Sequence, residues 1–307
     1  MKLRAYLLMV FVVAIWGSTF VLIKDALRDS TPLAFNLVRM TFAFLILAVA
    51  YRRHWREVSR GQLIAGAVVG FFLAAGYQFQ TAGLVTTTPS KSAFITGLVV
   101  VLVPLLSAVP ALRPPGARRP RWNAFLGAIL AFGGILLLTL PATSASLIPD
   151  FTSINTGINT GDLLTLGCAV AFAFHCISLG HASPRIRFQP LALLQIGFCA
   201  VFMAASMPLI EHPHMHITVR LCIALSIAAV LATAAAFSIQ SWAQSILPAT
   251  HTALILTLEP VFAWITSFVV MGERLGLRPA SGAILILVGI ALTELIPQPH
   301  VPTAHEA

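Results

Sequence analysis

Long apolar stretches, separated by short polar segments, follow one another along almost the whole chain. A helix needs about 20 apolar residues to cross about 30 Å of hydrocarbon. Ten stretches meet that length, and they lie near residues 4–23, 33–51, 63–83, 88–110, 121–140, 161–181, 189–210, 219–243, 249–271 and 280–296. The pattern predicts an all-α integral membrane protein with ten transmembrane helices.

The second half of the chain repeats the first. The sequence Gly-Ala-Ile-Leu at residues 127–130 returns at residues 282–285, and both copies have a further glycine shortly afterwards, at Gly134 and Gly289. Each copy holds five of the ten stretches, and an odd number of crossings inserts the second copy upside down. Inverted repeats are typical of secondary transporters, whose substrate site lies between the halves near the midplane. We therefore predict two inverted five-helix repeats.

Polar segments set the predicted boundaries of the repeats. Residues 1–140 form the first five-helix repeat, and residues 161–296 form the second. Residues 141–160 are rich in Ser, Thr and Asn and contain no Lys or Arg, which predicts an external linker. Residues 297–307 are predicted to be a disordered cytoplasmic tail.

Composition and charge support a membrane protein. Hydrophobic residues make up 58% of the chain and charged residues 9%, against about a quarter charged in soluble domains. The net charge of +9 would suggest nucleic acid if the cations were clustered, but they are distributed over alternate loops. The loops on the side of the N-terminus hold twice as many Lys and Arg as the other loops. The positive-inside rule therefore places both termini in the cytoplasm.

Several short segments together resemble a known family. They are Trp16–Phe20 followed by Lys24, Arg39 in the second span, Thr96–Leu98 leading to Val103–Leu106, Glu259-Pro260, and Gly272–Leu275. Over about residues 4 to 296 the chain resembles the EamA-type transporters of the drug/metabolite transporter superfamily. This resemblance implies ten helices in two inverted five-helix repeats. It also implies transport of small metabolites or drug-like molecules across the cell inner membrane, often outward, by a multi-pass protein.

Charged residues inside the predicted spans are site candidates, because a charge at a helix centre costs about 2.5 to 3.5 kcal/mol on insertion scales. Glu259 lies inside the ninth span and precedes Pro260, which disrupts the helix. Glu259 either contacts a substrate ammonium or exchanges a proton, or it fixes a kink. Arg39 lies about 9 Å into the second span. It either snorkels to the outer surface or forms a structural ion pair, or it binds a substrate carboxylate.

Two predicted hairpins have polar residues at opposite faces of the membrane. Gln80 and Lys91 lie at the outer ends of the third and fourth spans. The repeat places Gln240 and His251 at the inner ends of the eighth and ninth spans. An outer and an inner gate of a transporter would need this arrangement. The alternative is that these side chains face the lipid headgroups.

Aromatic residues with polar tips complete the candidate set. Trp16 and Tyr77 would line a cavity for a ring or an ammonium group. His175, inside the sixth span, either makes an interhelical hydrogen bond or takes part in proton coupling. The candidate substrate-binding or gating residues are thus Trp16, Arg39, Tyr77, Gln80, Lys91, His175, Gln240, His251 and Glu259.

Three histidines offer a separate hypothesis. His212, His214 and His216 occupy every second position of a predicted external loop, so an extended chain directs them to one side. Imidazoles are common ligands of transition metals. Because no second cluster of ligands accompanies them in a span, we predict a solvated loop and no metal site. A role in metal sensing or metal transport stays open.

Motifs of enzymes are missing from the sequence. It contains no G-x-S-x-G, no H-E-x-x-H and no ATP-binding G-x-x-x-x-G-K-[ST]. We therefore predict no enzyme, no catalytic residue and no cofactor, and transport that is passive or driven by a gradient. An intramembrane enzyme is the rival class, and it would need a nucleophile and base, or metal ligands, at membrane depth.

The candidate residues suit a small zwitterion, because they combine cations, amides, an acid and ring surfaces. The expected function is a secondary transmembrane transporter that exports small metabolites such as amino acids by alternating access. A multidrug or hydrophobic-cation exporter is the alternative. The expected partners are the small-molecule substrate and the lipid bilayer, without nucleic acid, and a homodimer is left open.

Overall fold

The computed structural model describes residues 2–115, 120–139, 159–183, 185–244, 255–256 and 258–295. Within these residues the chain forms helices and no strand, apart from an isolated bridge between Ser30 and Met215. The helices are α1 (Lys2–Ala26), α2 (Pro32–Ala50), α3 (Arg60–Leu84), α4 (Pro89–Thr96 and Val99–Leu106), α5 (Trp122–Thr139), α6 (Thr160–Ala182), α7 (Phe188–Ile210), α8 (Val219–Ser226, Ile227–Ala235 and Ala236–Gln244), α9 (Glu259–Met271) and α10 (Leu277–Leu295).

Seven of these helices are long and apolar enough to cross a membrane, judged by length and composition. They are α1, α2, α3, α4, α6, α7 and α8. The described parts of α5, α9 and α10 contain shorter apolar helices, at Trp122–Leu138, Glu259–Met271 and Leu277–Leu292. The all-helical membrane architecture is thus confirmed, and a count of ten crossings stays a prediction.

The connections between helices alternate between two faces of the bundle. One face, which we call the Asp29 face, holds the connections α1–α2, α3–α4, α7–α8 and α9–α10 and the start of α6. Hydrogen bonds join Lys24 to Leu84, Thr31 to His214, Ser90 to Glu273 and Asn159 to Thr86 there. We call the opposite face the Tyr51 face. Hydrogen bonds there join Tyr51 to Ser238 and His181 to Leu112. Because α1 runs towards the Asp29 face and α6 runs away from it, the second half is inverted.

The repeated glycine motif forms the packing contact between α5 and α10. A Cβ atom added to Gly134 would lie 2.5 Å from the carbonyl oxygen of Gly282, and the reverse is also true. At the other end of the contact, Gly289 packs against the carbonyl of Gly127. Glycine lets two helix backbones approach this closely inside a membrane. The fifth helix of each half therefore packs antiparallel against its own counterpart.

Three helices are irregular at points inside the bundle. α4 breaks at Gly97 and Leu98, between its two helical parts. The middle of α8, Ile227–Ala235, is a π-helix. The regular part of α9 begins at Glu259, with Pro260 in its first turn, where the missing N–H breaks no helical hydrogen bond. Residues 249–254 and 257 lie outside the described residues, so the expected kink at Pro260 stays a prediction.

The centre of the bundle is filled by apolar side chains from α2, α3, α7 and α8. Met40, Leu73, Ile196 and Met203 are buried in one cluster, and Phe237 of α8 belongs to it. Such packing excludes water and lowers the local dielectric, which strengthens any polar contact beside it. Polar side chains of the candidate site lie against this cluster.

Candidate functional site

Arg39 on α2 lies in the middle of a polar group inside the bundle. Its side chain is enclosed, with the residue 1% exposed, and Nε donates a hydrogen bond to Oγ1 of Thr233 on α8 at 2.9 Å. Nη2 donates to the hydroxyl of Tyr77 on α3 at 3.4 Å, and the guanidinium carbon lies 4.5 Å from the centre of the Tyr77 ring. The second contact is a cation–π interaction. The expectation that Arg39 snorkels to the outer surface is therefore wrong.

Arg39 contacts no acidic side chain within the described parts of the chain. The ion pairs found there involve Arg28, Lys91 and Arg220. The partners of Arg39 are instead two neutral hydroxyl groups and a ring face. Burying a charge without a counter-charge is costly, so such a cation attracts an anion strongly. The guanidinium group has the fork geometry that matches a carboxylate.

Asn36 positions Tyr77 beside Arg39. Asn36 lies one turn before Arg39 on the same face of α2 and is fully buried. Its Nδ2 donates to the backbone carbonyl of Tyr77 at 2.9 Å, and its Oδ1 accepts from Thr81 Oγ1 at 3.1 Å. These bonds fix α3 against α2 at the level of the guanidinium group. Tyr77 is thus bonded at its backbone carbonyl by Asn36 and at its hydroxyl by Arg39.

A chain of ring contacts links Tyr77 to Trp16. Tyr77 meets Phe172 edge-on with ring centres 5.2 Å apart, and Phe172 meets His175 at 6.4 Å. His175 meets Phe237 at 6.4 Å, and Phe237 meets Trp16 at 5.6 Å. Edge-to-face pairs of this kind are favourable and geometrically defined. The structure therefore brings four predicted site residues, Trp16, Arg39, Tyr77 and His175, into one group that spans α1, α2, α3, α6 and α8.

His175 has a hydrogen-bond partner on a neighbouring helix. Its Nε2 lies 3.0 Å from Oε1 of Gln195 on α7, and both residues are buried. His175 therefore makes an interhelical hydrogen bond, which is one of the two roles that the sequence suggested. Proton coupling through His175 stays a prediction.

Glu259 approaches the same group from α9. It is half-buried at the start of that helix, where the positive end of the helix dipole favours a carboxylate. The backbone of Glu259 is also packed against Gly17 of α1, whose added Cβ would lie 2.7 Å from the Glu259 carbonyl oxygen. Glu259 therefore lies beside the segment of α1 that carries Trp16, a member of the Arg39 group.

Gln80 contacts the break in α4. Its Nε2 lies 3.4 Å from the hydroxyl of Thr96, which in turn lies 3.8 Å from Sγ of Cys168. Thr96 is the last residue of the first part of α4. Gln80 thus reaches the interior side of the α3–α4 hairpin and does not face the headgroups.

Lys91 lies apart from Arg39, at the Asp29 face. Its Nζ is 3.4 Å from Oδ2 of Asp162, a buried residue at the start of α6. Asp162 also accepts a hydrogen bond from the hydroxyl of Thr87. The ion pair joins the α3–α4 hairpin to α6 at the position predicted for an outer gate. Whether it opens during transport is a prediction.

The second predicted gate is only partly described. Gln240 lies half-buried on α8, seven residues beyond Thr233 and towards the Tyr51 face. His251 lies outside the described residues, as do the predicted linker, apart from its last two residues, and the predicted tail. The inner gate expected at Gln240 and His251 therefore stays a prediction.

A second set of bonds closes the Asp29 face. Arg220 of α8 donates to both carboxylate oxygens of Asp29, at 2.9 and 2.7 Å, and the hydroxyl of Thr218 donates at 2.6 Å. The bonds from Arg220 and then Thr218 lower the pKa of Asp29 to about 2. Glu211, after α7, accepts from the backbone N–H of Leu33 at the start of α2. The α1–α2 and α7–α8 connections are thus tied together.

The histidine loop belongs to this face. Nε2 of His214 lies 2.7 Å from Nε2 of His216, so the two rings form a hydrogen-bonded pair. Among the described residues no group of three or more His, Cys, Asp or Glu is arranged to hold a metal ion. The loop's main structural role is backbone pairing with Thr31 and Asp29.

An apolar groove of about 1000 Å³ opens between α1, α8 and α9. Ile15, Leu22 and Ile227 line its wall, and Ser18 and Thr266 meet inside it at 3.1 Å between their hydroxyl oxygens. Arg39, Tyr77 and His175 do not line this groove. It is therefore a feature of the bundle's side, distinct from the Arg39 group.

Sequence reasoning missed several residues of the Arg39 group. Thr233, Asn36 and Gln195 lie in apolar spans, where an isolated small polar residue is ordinarily a helix-packing residue. Phe172 and Phe237 are two of 20 phenylalanines, and nothing in the sequence separates them from lipid-facing ones. The repeat supplied no signal for Thr233, because its role depends on the π-helix.

A multi-pass helical bundle with a buried, polar and aromatic group between its halves is the architecture of a membrane protein that handles small molecules. The comparisons with known proteins agree with that class. The sequence pattern of the EamA-like transporter family matches residues 3–140 and again residues 159–295. The chain belongs to the EamA-like transporter family, within the drug/metabolite transporter superfamily.

Relatives whose names describe them as transporters match over nearly the whole chain. An "Uncharacterized transporter" of Archaeoglobus fulgidus is 32% identical over 294 residues, covering 96% of this chain and 87% of the relative. The "Uncharacterized transporter YdfC" of Bacillus subtilis is 22% identical and covers 92% and 88%. A solved crystal structure superimposes with a TM-score of 0.62 at 19% identity, covering 95% of this chain and 97% of that chain, which shows the shared fold. The family and these names indicate a transporter rather than an enzyme.

Proposed function

We propose that this protein is a secondary transporter that exports small zwitterionic metabolites, amino acids above all, by alternating access. The observation that carries the proposal is the buried guanidinium of Arg39, which is held by neutral hydroxyls and a ring face. The described residues around Arg39 provide no counter-charge, and a substrate carboxylate would supply one. The charge-assisted bond then forms in a site of low dielectric, where it is strong.

The rest of the group suits the other parts of an amino acid. Tyr77, Phe172 and Phe237 provide ring surfaces for an apolar or aromatic side chain. Glu259 offers a carboxylate for the ammonium group from the α9 side. The two charges of the zwitterion would thus face opposite charges on α2 and α9.

The same geometry disfavours a hydrophobic-cation exporter. A lipophilic cation would need to bind beside Arg39, and like charges in a low-dielectric site repel strongly. Glu259 and the rings would attract such a cation if Arg39 were shielded. A multidrug exporter is therefore the second outcome that an assay must be able to detect.

We further propose that the protein lies in the cell inner membrane with the Asp29 face outward and both termini in the cytoplasm. Lys24, Arg28, Lys91 and Arg220 lie near the Asp29 face, whereas Arg52, Arg53 and further basic residues are near the Tyr51 face. The larger number of cations on the second side supports a cytoplasmic Tyr51 face.

Counterflow in proteoliposomes tests the substrate. Vesicles loaded with unlabelled L-phenylalanine should take up labelled L-phenylalanine, and Arg39→Gln should weaken its apparent affinity by about 10- to 100-fold, since a hydrogen bond to a charge is worth about 1.5–3 kcal/mol. Arg28→Gln is the matched control, because Arg28 is an exposed guanidinium near the Asp29 face that pairs with Asp25.

The outcomes separate the candidates. Uptake that Arg39→Gln reduces and Arg28→Gln retains would support an amino acid carrier. Exchange of a lipophilic cation such as tetraphenylphosphonium, with no response to any amino acid, would replace the proposal with a drug exporter. Growth of cells that lack their own exporters, under toxic loads of the same compounds, then tests the direction of transport.

A further inference from the structure

The middle of α8 is wound as a π-helix over nine residues, Ile227–Ala235. π-Helices are rare, usually extend over a single turn and are found mostly at functional sites. This one consists almost entirely of small and apolar residues, with Thr233 as its polar member. Its ends continue directly into the helical segments Val219–Ser226 and Ala236–Gln244. The unusual winding therefore separates two ordinary helical halves of one membrane helix.

Thr233 makes a bond that depends on this winding. Its hydroxyl donates to the carbonyl oxygen of Ala228, five residues earlier, at 2.8 Å. In an α-helix a threonine hydroxyl reaches the carbonyl three or four residues back, so a partner five residues back marks the π geometry. The same oxygen accepts a hydrogen bond from Nε of Arg39 at 2.9 Å. One hydroxyl thus links Arg39 to the π-helical backbone.

Trp16, a second residue of the Arg39 group, is hydrogen-bonded to the π-helix next to Thr233. Nε1 of Trp16 on α1 donates to the carbonyl oxygen of Ala232 at 2.8 Å. Arg39 and Trp16 therefore contact adjacent residues of the π-helix, Thr233 and Ala232, from two different helices. Both belong to the group that we assign to substrate binding.

We propose that Thr233 is a positioning residue that couples occupation of the Arg39 site to the winding of α8. The inference rests on the proposed function, in which a substrate carboxylate binds Arg39. A carboxylate competes with the neutral hydroxyl for the guanidinium, because a hydrogen bond between charged groups is about twice as strong as a neutral one. When the guanidinium of Arg39 binds the substrate, the hydroxyl of Thr233 loses its hydrogen bond from Arg39. The π-helix then relaxes to an α-helix.

This relaxation moves the half of α8 that leads to the Tyr51 face. A change of one residue in helical register turns every following side chain by about 100°. Ser238, whose hydroxyl accepts from Tyr51 at 2.8 Å, would leave that partner, and Gln240 would face a different neighbour. Binding at Arg39 would thereby open or close the candidate gate at Gln240. Loss of the hydrogen bond between Arg39 and Thr233 would thus move the Ala236–Gln244 end of α8.

The first test needs no substrate. Gln240→Cys is labelled with a membrane-impermeant maleimide, and the chain without that change measures the background of the native cysteines. Adding Thr233→Val should change the labelling rate measurably, because the relaxed helix turns the cysteine by about 100°. Thr233→Ser keeps the hydroxyl and should label like the parent. Arg39→Gln removes the same bond from the other side, so it should reproduce the effect and add nothing to Thr233→Val.

A matched control measures the cost of losing any buried threonine hydroxyl. Thr165 on α6 is fully buried and donates to the carbonyl of Gly161, four residues earlier, in a regular helix. Thr165→Val should leave the labelling of Gln240→Cys unchanged. If Thr233→Val does not reach the membrane, Thr233→Ala removes the same hydroxyl with less bulk.

The second test adds L-phenylalanine. In the parent it should shift the labelling of Gln240→Cys towards the rate of Thr233→Val, and in Thr233→Val it should bind without a further shift. Equal rates for Thr233→Val, Thr233→Ser and the parent would overturn the inference. A shift caused by Thr233→Val together with no binding of L-phenylalanine to the parent would support the control of winding and reject the proposed substrate. The two failures are thus distinguishable.

Discussion

At the scale of single residues, burial decides what each charged side chain does. Arg39 and Arg220 both carry a guanidinium, yet Arg220 binds Asp29 at the Asp29 face while Arg39 is enclosed by neutral groups. Only the enclosed guanidinium is left with a strong attraction for an anion. Glu259 and Glu273 form a similar contrast, since Glu273 accepts hydrogen bonds from Ser90 and Ser267.

Glu259 provides a prediction on energy coupling. It is half-buried beside the substrate group, and no Lys or Arg of the described residues lies within ion-pair distance of it. We expect Glu259→Gln to abolish accumulation driven by a proton gradient and to retain counterflow exchange at a lower apparent affinity, because the carboxylate that faces the substrate ammonium is lost. Both activities are measured in the same proteoliposomes. Glu273→Gln is the control and should retain both, whereas normal accumulation by Glu259→Gln would assign Glu259 a structural role.

Asp29 provides a prediction on pH. Its pKa lies at about 2, below the value of about 3.9 in an unfolded chain. A lowered folded-state pKa means that the bonds to Arg220 and Thr218 stabilise the fold above pH 4 and lose that effect as the pH falls from about 4 to about 2. Asp29→Asn should therefore melt at a lower temperature than the parent at pH 7. At pH 2 the two melting temperatures should converge, and a constant difference would contradict this role.

At the scale of elements, helix irregularities lie where the two halves meet. α4 breaks at Gly97, α8 is π-wound at Ile227–Ala235, and α9 begins at Glu259. Gly97 and Pro260 are in contact, because a Cβ atom added to Gly97 would lie 3.1 Å from the Pro260 ring. Irregular helices inside transporters free backbone groups for ligands and allow parts of a helix to move separately. Regular α5 and α10, by contrast, serve packing.

The α5–α10 contact gives a prediction on stability. Gly134→Ala places a methyl group against the Gly282 backbone, and overpacking of this kind typically costs about 1–3 kcal/mol. We expect a lower yield of folded protein and a lower melting temperature in detergent. Gly133→Ala is the matched control, because a Cβ atom at Gly133 meets nothing within 4 Å. If the two variants melt alike, the close glycine contact does not limit stability.

At the scale of the whole molecule, the chain forms two inverted halves, and the Arg39 group takes side chains from both of them. The Asp29 face is tied by ion pairs and caps, among them Lys91 to Asp162 and Arg220 to Asp29. Alternating access requires that such contacts break while others form at the Tyr51 face. The Lys91–Asp162 pair joins the α3–α4 hairpin to the second half, so it is the contact we expect to open.

Cysteine accessibility tests that movement. Lys91→Cys and His251→Cys should change their reactivity with a membrane-impermeant reagent in opposite senses when substrate is added, because one face closes as the other opens. Asp162→Asn should raise the reactivity of Lys91→Cys before substrate is present, since it removes the ion pair. Parallel changes at both positions, or none, would contradict a rocking mechanism.

The sequence by itself determined that this is a helical membrane protein and that its second half repeats the first in inverted orientation. Apolar runs near 20 residues have few physical alternatives, because every backbone polar group in lipid must be bonded within the segment. The copies at residues 127–130 and 282–285 predicted the repeat, and the structure places both in one glycine contact. The repeat correctly singled out Gly134 and Gly289, although their purpose is packing.

Only the tertiary structure decided what the polar residues do. Arg39 at that depth of a helix permits snorkelling or burial, and the choice depends on whether α3 and α8 cover it. Thr233 and Phe237 look like ordinary membrane residues until the π-helix turns them towards Arg39 and the aromatic chain. Hydrophobicity is a property of each residue, so the sequence alone is enough to assign it. A binding site depends on distances between helices remote in sequence, which packing alone sets.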